Sequence, residues 1–145
     1  YTDLSTLLKA SNVVSLHVPL NETTHHIINA DALNLMSPSA ILINTGRGAL
    51  IDTPALIRSL KRRQIDGACL DVYEEEAGIF FSDHSEMGIN DDVLARLLTF
   101  PNVLMTSHQG FLTKEALTNI AATTIQSLNK FESGEDLSNV QAPLR

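Results

Sequence analysis

Residues 40–52 read Ala40-Ile41-Leu42-Ile43-Asn44-Thr45-Gly46-Arg47-Gly48-Ala49-Leu50-Ile51-Asp52, with Thr53-Pro54 directly after them. A short apolar run closed by Asn and Gly has the length and the ending of a strand buried in a parallel sheet. Asp52 or Thr53, followed by Pro54 at a first helical position, is a helix start. Strand, turn and helix in immediate succession make the β-to-α joint of a βαβ unit, which sets the fold class as α/β.

The same pattern repeats outward in both directions. Upstream lies Val13-Val14-Ser15-Leu16-His17-Val18, stopped by Pro19, whose missing N–H cannot continue a ladder. Downstream come Ala68-Cys69-Leu70-Asp71-Val72 and Asn102-Val103-Leu104-Met105-Thr106. Each is expected to be a short strand buried on both faces. Helical periodicity fills the gaps at residues 3–9, 29–35, 52–63 and 91–98, and a longer helix runs from Thr113 to about Glu132 and stops near Gly134. Residues 1–134 therefore read as one folded portion, and residues 135–145, which show no period, as a loose tail.

Composition excludes several classes. Only 19% of the 145 residues are charged and 43% are hydrophobic, as in globular proteins that bury a core. The formal net charge of −7 repels phosphate backbones and anionic bilayers, so neither nucleic acid nor a membrane surface is an expected partner. A single cysteine, Cys69, forbids a disulfide within the chain and fits a reducing compartment; it reads as a small core residue. No leader pattern or spanning apolar run occurs, which makes the cytoplasm the default location. The first residue is Tyr1 rather than Met, which suggests a piece of something longer.

In open α/β sheets, ligands bind beyond the carboxyl ends of the strands, and the polar residues of interest here all follow such ends. Arg47 sits between two glycines in the turn after the second run, where its planar fork suits a carboxylate. His108 follows the fourth run and belongs to the residue type that exchanges protons near neutral pH. Glu76, in the acidic stretch after the third run, would orient that imidazole. Taken singly, an exposed turn arginine, a packing histidine and an acidic loop have bland explanations. Their placement at neighbouring strand ends favours a site. Glu74 and Glu75 read as solvated. His25 and His26, being adjacent, are expected to point in different directions and to lack metal-ligand spacing, so no metal site is expected. Phe80, Phe81 and Phe111 read as pocket wall or ordinary packing.

These residues fall in motifs that resemble the D-isomer-specific 2-hydroxyacid dehydrogenase family. His17-Val18-Pro19-Leu20 with Thr24, the stretch from Asn44 to Asp52, Leu70-Asp71-Val72-Tyr73 with Glu76, and His108 are similar to its successive signatures. Asp71 lies 24 residues after Arg47 and His108 lies 61 after it, a spacing that resembles the D-lactate dehydrogenase branch. Ala77 after Glu76, where many relatives place Pro, and the connection from Gly78 to His84 are also similar to fermentative D-lactate dehydrogenases. The resemblance runs from Tyr1 to about Glu132.

What the resemblance implies is a catalytic set of Arg47, Glu76 and His108. Arg47 would hold the substrate carboxylate, and His108, aimed by Glu76, would exchange a proton with the substrate oxygen. Val18, Pro19, Thr24, Thr45, Gly46, Arg47 and Asp71 would face NAD, with Asp71 at its nicotinamide end. The substrate would be a small 2-keto or 2-hydroxy acid such as pyruvate or D-lactate, and the protein a homo-oligomer.

The chain departs from the family in having no Gly-x-Gly-x-x-Gly and no acidic residue at the end of a following strand, so the pyrophosphate and adenosine ribose lack an evident site. It is therefore expected to be a partial Rossmann-like doubly wound parallel sheet lacking its first two strands. In the order 3-2-1-4-5-6 those would lie between the first run and the second, depriving the first run of its ladder partner. The isolated fragment would be inactive. The alternative reading is a non-catalytic, NAD-sensing relative of the co-repressor type, which would keep the same residues, and a third is a purely structural α/β domain.

Overall fold

Each of the four runs forms a strand, and each gap a helix. In chain order the elements are α1 (Leu4–Ala10), β1 (Val13–Leu16), α2 (Ala30–Leu35), β2 (Ile41–Asn44), a single 3-10 turn (Gly48–Leu50), α3 (Thr53–Lys61), β3 (Gly67–Leu70), α4 (Asp92–Leu98), β4 (Val103–Met105) and α5 (Lys114–Ser133). The computed structural model describes residues 1–86 and 88–135. These fall into two units, residues 1–109 and residues from 110 onward. Apart from Glu135, the expected tail lies outside the described residues.

The helix starts follow capping chemistry. The side chains of Asp3, Asn29, Asp52, Asp91 and Thr113 each accept a backbone N–H from the first turn of the helix they precede, satisfying a donor that the helix cannot. α5 ends at Gly134 in the left-handed conformation, φ 71°, as a helix-terminating glycine should. Its apolar positions Leu117, Ile120, Ile125, Leu128 and Phe131 are exposed. Among the described residues no helix is long and apolar enough to cross a membrane.

The first unit is a four-stranded parallel sheet in the order β1-β2-β3-β4. The gap expected between the first and second strands is absent. β1 pairs with β2 over its whole length, from Val13 opposite Ile41 to Leu16 opposite Asn44. Right-handed crossovers that step repeatedly in one direction lay consecutive strands side by side, so β1 keeps its ladder partner. The same handedness places α2, α3 and α4 on one face. There they cover Val14, Leu16, Leu42, Ala68 and Leu70 and form a core with Leu8, Ile28, Leu33, Leu56 and Leu97. Each fully buried leucine contributes about 1.5–3 kcal/mol.

The strands are consequently not buried on both faces as their composition suggests. Burial alternates along β1 and β2, and the row Ser15, Ile43, Cys69, Leu104 crosses the sheet on the side away from the crossover helices. Leu104 is 59% exposed. Cys69 stands in that row, half-buried, rather than in the core.

Candidate active site

Parallel register brings Leu16, Asn44, Leu70 and Met105 into one row at the carboxyl ends of the four strands. Neighbouring strands are about 4.8 Å apart, so the loops leaving β2, β3 and β4 start within about 10 Å of one another. Arg47, Glu76 and His108 lie on those three loops.

The Arg47 turn is held from below by Asn44, which is 1% exposed. Its amide donates to the Arg47 carbonyl at 2.9 Å and its oxygen accepts the Gly46 N–H at 3.1 Å. Nothing in the sequence pattern beyond a polar residue closing an apolar run signals this role. Arg47 itself is extended, with φ −138° and ψ 138°. Its exposed guanidinium donates to the Gly46 carbonyl at 2.8 Å and forms no ion pair among the described residues. Gly48 is required by contact: a Cβ there would stand 2.1 Å from the Tyr73 carbonyl carbon and 2.4 Å from the Glu74 nitrogen. The loops after β2 and β3 therefore touch backbone to backbone, which no larger residue permits.

The loop after β3 is anchored at both ends. Asp71, 7% exposed, accepts from the Thr106 hydroxyl and, at 2.8 Å, from the Gln109 N–H, while its carbonyl accepts the His108 N–H. It thereby grips the loop after β4, where Ser107 and His108 adopt φ of 52° and 56°. Two consecutive non-glycine residues in the left-handed region persist only where surroundings hold them. Tyr73 donates its hydroxyl to both Asp91 oxygens at 3.0 and 3.2 Å, while Asp91 also caps α4. Burial, and then the adjacent Asp91 carboxylate, push the phenol's pKa above its ordinary value and keep it a donor.

Glu76 lies between these anchors. One oxygen accepts the Tyr73 N–H at 3.0 Å and the other lies 2.8 Å from His108 Nδ1. The two side chains are 18% and 30% exposed. The Phe81 ring packs against the imidazole with centroids 5.6 Å apart. With Nδ1 engaged by the carboxylate, Nε2 is the nitrogen left for a substrate.

The loop after β1 supplies the remaining expected residues. Val18 and Pro19 are exposed beyond the strand, as is Thr45 beyond β2. Thr24 is half-buried, and its hydroxyl serves the loop: it donates to the Pro19 carbonyl at 2.6 Å and accepts the Asn21 N–H at 2.9 Å.

Two expectations need correction. Glu74 is not solvated: it is half-buried, with one oxygen 2.5 Å from His26 Nε2 and the other accepting the Thr53 N–H at the start of α3. Glu75 is exposed as expected. His25 and His26 do not diverge, because their rings stack with centroids 3.9 Å apart.

The sequence profile described as "D-isomer specific 2-hydroxyacid dehydrogenase, NAD binding domain" matches residues 1–110. The chain belongs to the D-isomer-specific 2-hydroxyacid dehydrogenase family. It is 52% identical to 2-hydroxyacid dehydrogenase A of Aspergillus oryzae over 90% of its own length and 38% of that protein's. It is 48% identical to the D-lactate dehydrogenase of Escherichia coli, over 96% of the chain and 42% of the relative. Among solved structures, the D-lactate dehydrogenase of Lactobacillus jensenii with NAD+ superposes with a TM-score of 0.90 at 33% identity, covering 98% of this chain and 43% of that one. The chain thus spans about two fifths of the length of these relatives, and its residues 1–110 match the family's NAD-binding domain.

Proposed function

We propose that this segment supplies the proton-transfer and substrate-anchoring half of an NAD-dependent D-2-hydroxyacid dehydrogenase that interconverts pyruvate and D-lactate. The observation that carries the proposal is the Glu76–His108 pair, seated at the strand ends one strand away from the Arg47 turn. The similarity to D-lactate dehydrogenases supports the choice of substrate.

The chemistry follows from the donors. The Arg47 guanidinium is free to swing from the Gly46 carbonyl to a substrate carboxylate, which it meets as a two-point fork. His108 carries the transferable proton on Nε2 and gives it to the keto oxygen as that oxygen gains charge; in the oxidising direction it takes the proton from the hydroxyl. Glu76 holds Nδ1 and stabilises the imidazolium. The reaction adds one hydride to the carbonyl carbon and one proton to its oxygen. Bound NADH supplies the hydride. Val18, Pro19 and Thr45, exposed beyond the strand ends, would line the nicotinamide end of that cofactor, and the buried Asp71 would face it. No phosphate-cradling glycine loop lies in the 145 residues, so the isolated chain binds NADH weakly and turns over no keto acid. Its open strand edges favour self-association, in keeping with a cytoplasmic homo-oligomer.

The test is a coupled assay on the protein that contains this segment, with pyruvate and NADH and chiral analysis of the product. D-lactate formation that Arg47→Lys impairs chiefly through KM supports the reading. NADH binding without turnover would replace the enzyme by an NAD-sensing protein. Micromolar NADH binding by the 145-residue chain alone would overturn the fragment's expected weakness.

A further inference from the structure

On the loop after β3, two residues before Glu76, Glu74 meets a different histidine. Its carboxylate joins His26 to the start of α3. His25 stands beside this pair, its ring tilted 30° to that of His26. Consecutive side chains of an extended chain point opposite ways. These two come together because His26 takes φ 51°, with its N–H fixed to the Ala49 carbonyl and that of His25 to the Asn21 carbonyl, both at 2.8 Å. Folding explains Glu74, which caps a helix, and His26, which pairs with it. It does not explain His25, whose exposed imidazole makes no hydrogen bond among the described residues.

We propose that His25, His26 and Glu74 bind one divalent transition-metal ion of the zinc class. Two imidazoles and one carboxylate form a donor set suited to zinc, whereas magnesium and calcium favour oxygen ligands. Bonds of about 2.0–2.1 Å place the ligand atoms of one tetrahedral ion about 3.4 Å apart. The three groups here offer ligand atoms within 4.8 Å of one another, so an ion is reached by rotation of the exposed His25 ring together with opening of the 2.5 Å His26–Glu74 contact to ligand spacing. His26 and Glu74 side chains are 33% and 18% exposed, giving the ion a partly desolvated seat. The chain's net charge of −7 adds a favourable field. Three protein ligands leave a fourth position for water. An ion held there would tie the loop after β3 to the loop that carries His25 and His26.

The experiment is calorimetric titration of the 145-residue chain with zinc chloride, repeated with cobalt(II) as a spectroscopic probe and with magnesium chloride as the oxygen-preferring control. We expect one zinc equivalent, a cobalt absorption typical of a low-coordinate nitrogen and oxygen site, and no magnesium response. His25→Ala removes a ligand without touching the helix cap and should weaken zinc binding by at least about tenfold. Cys69→Ser should bind as the unaltered chain does. Zinc-induced shifts of the imidazole nitrogen resonances should centre on His25 and His26. The proposal fails if zinc does not bind, if His25→Ala binds equally well, or if the shifts fall on His17, His84 or His108 instead.

Discussion

The loop after β3 carries two carboxylates that meet two histidines, and the pairs look alike. Glu74 with His26 and Glu76 with His108 are separated by 2.5 and 2.8 Å, and their side chains are equally half-buried. They differ in what lies around them. The second oxygen of Glu74 is spent on the backbone of Thr53, so that pair ties three pieces of chain together. Glu76 takes its second bond from Tyr73 within its own loop, and its histidine stands at the strand-end crevice, left-handed and gripped by Asp71. A histidine–carboxylate pair is therefore no mark of catalysis in itself. Under the proposed function, its position relative to the strand ends would separate a brace from a proton carrier.

The largest effect that tests this contrast is kinetic. If the protein containing this segment is the proposed dehydrogenase, His108→Ala should lower its kcat by about a thousandfold, and Glu76→Gln should lower it by more than Glu74→Gln does. A steady-state comparison in which the two glutamate variants lose the same factor would erase the distinction. Next in size is the contact that seats the two loops. Gly48→Ala should cost about 3 kcal/mol in urea unfolding of the chain, since a methyl group cannot occupy a site 2.1 Å from the Tyr73 carbonyl carbon. Unaltered stability would mean that the loops do not abut.

Glu74→Gln should cost about 2 kcal/mol at neutral pH through the loss of a charge-assisted bond. Desolvation raises the Glu74 pKa, but the hydrogen bonds from His26 and Thr53 outweigh it, and the group is held below its ordinary 4.5. A lowered carboxylate contributes stability that is complete above the unfolded value and is lost as pH falls through the folded one. Unfolding free energies measured on acidification from neutrality to below 4.5 should therefore drop more steeply in the unaltered chain than in Glu74→Gln. Parallel curves would show that this carboxylate does not brace the fold. The smallest effect concerns α3, the helix that Glu74 serves. The Ser59 hydroxyl is buried there with no partner among the described residues, and Ser59→Ala should raise stability by about 0.5–1 kcal/mol, read as a higher Tm. A lower Tm would reveal a bond to that hydroxyl.

Much of the first unit was legible because its determinants are local. Apolar runs of strand length, caps such as Asn29 and Asp52, and the stop at Gly134 act within a few residues, and the observed elements begin and end close to where these signals place them. The burial of each strand was not legible. The runs are largely apolar, yet the residue in the Ser15, Ile43, Cys69, Leu104 row faces away from the crossover helices, and only the handedness of those crossovers decides which alternate positions are covered. Asn44 and Asp71 were visible as polar residues at strand ends, but not as the supports of Arg47 and His108, because those bonds depend on which loop lies next to which.

The sequence by itself determined the kind of chain: an α/β fold, four parallel strands, and an arginine, a glutamate and a histidine on three successive strand-end loops. Apolar period and capping operate through neighbours along the chain, and the family's motifs are written in consecutive residues. Only the tertiary structure decided that β1 lies directly beside β2, that Glu74 belongs to His26 while Glu76 belongs to His108, and that His25 stacks on His26. Those outcomes depend on backbone handedness and on contacts between residues 32 to 48 positions apart, for which no local pattern in the chain provides a cause.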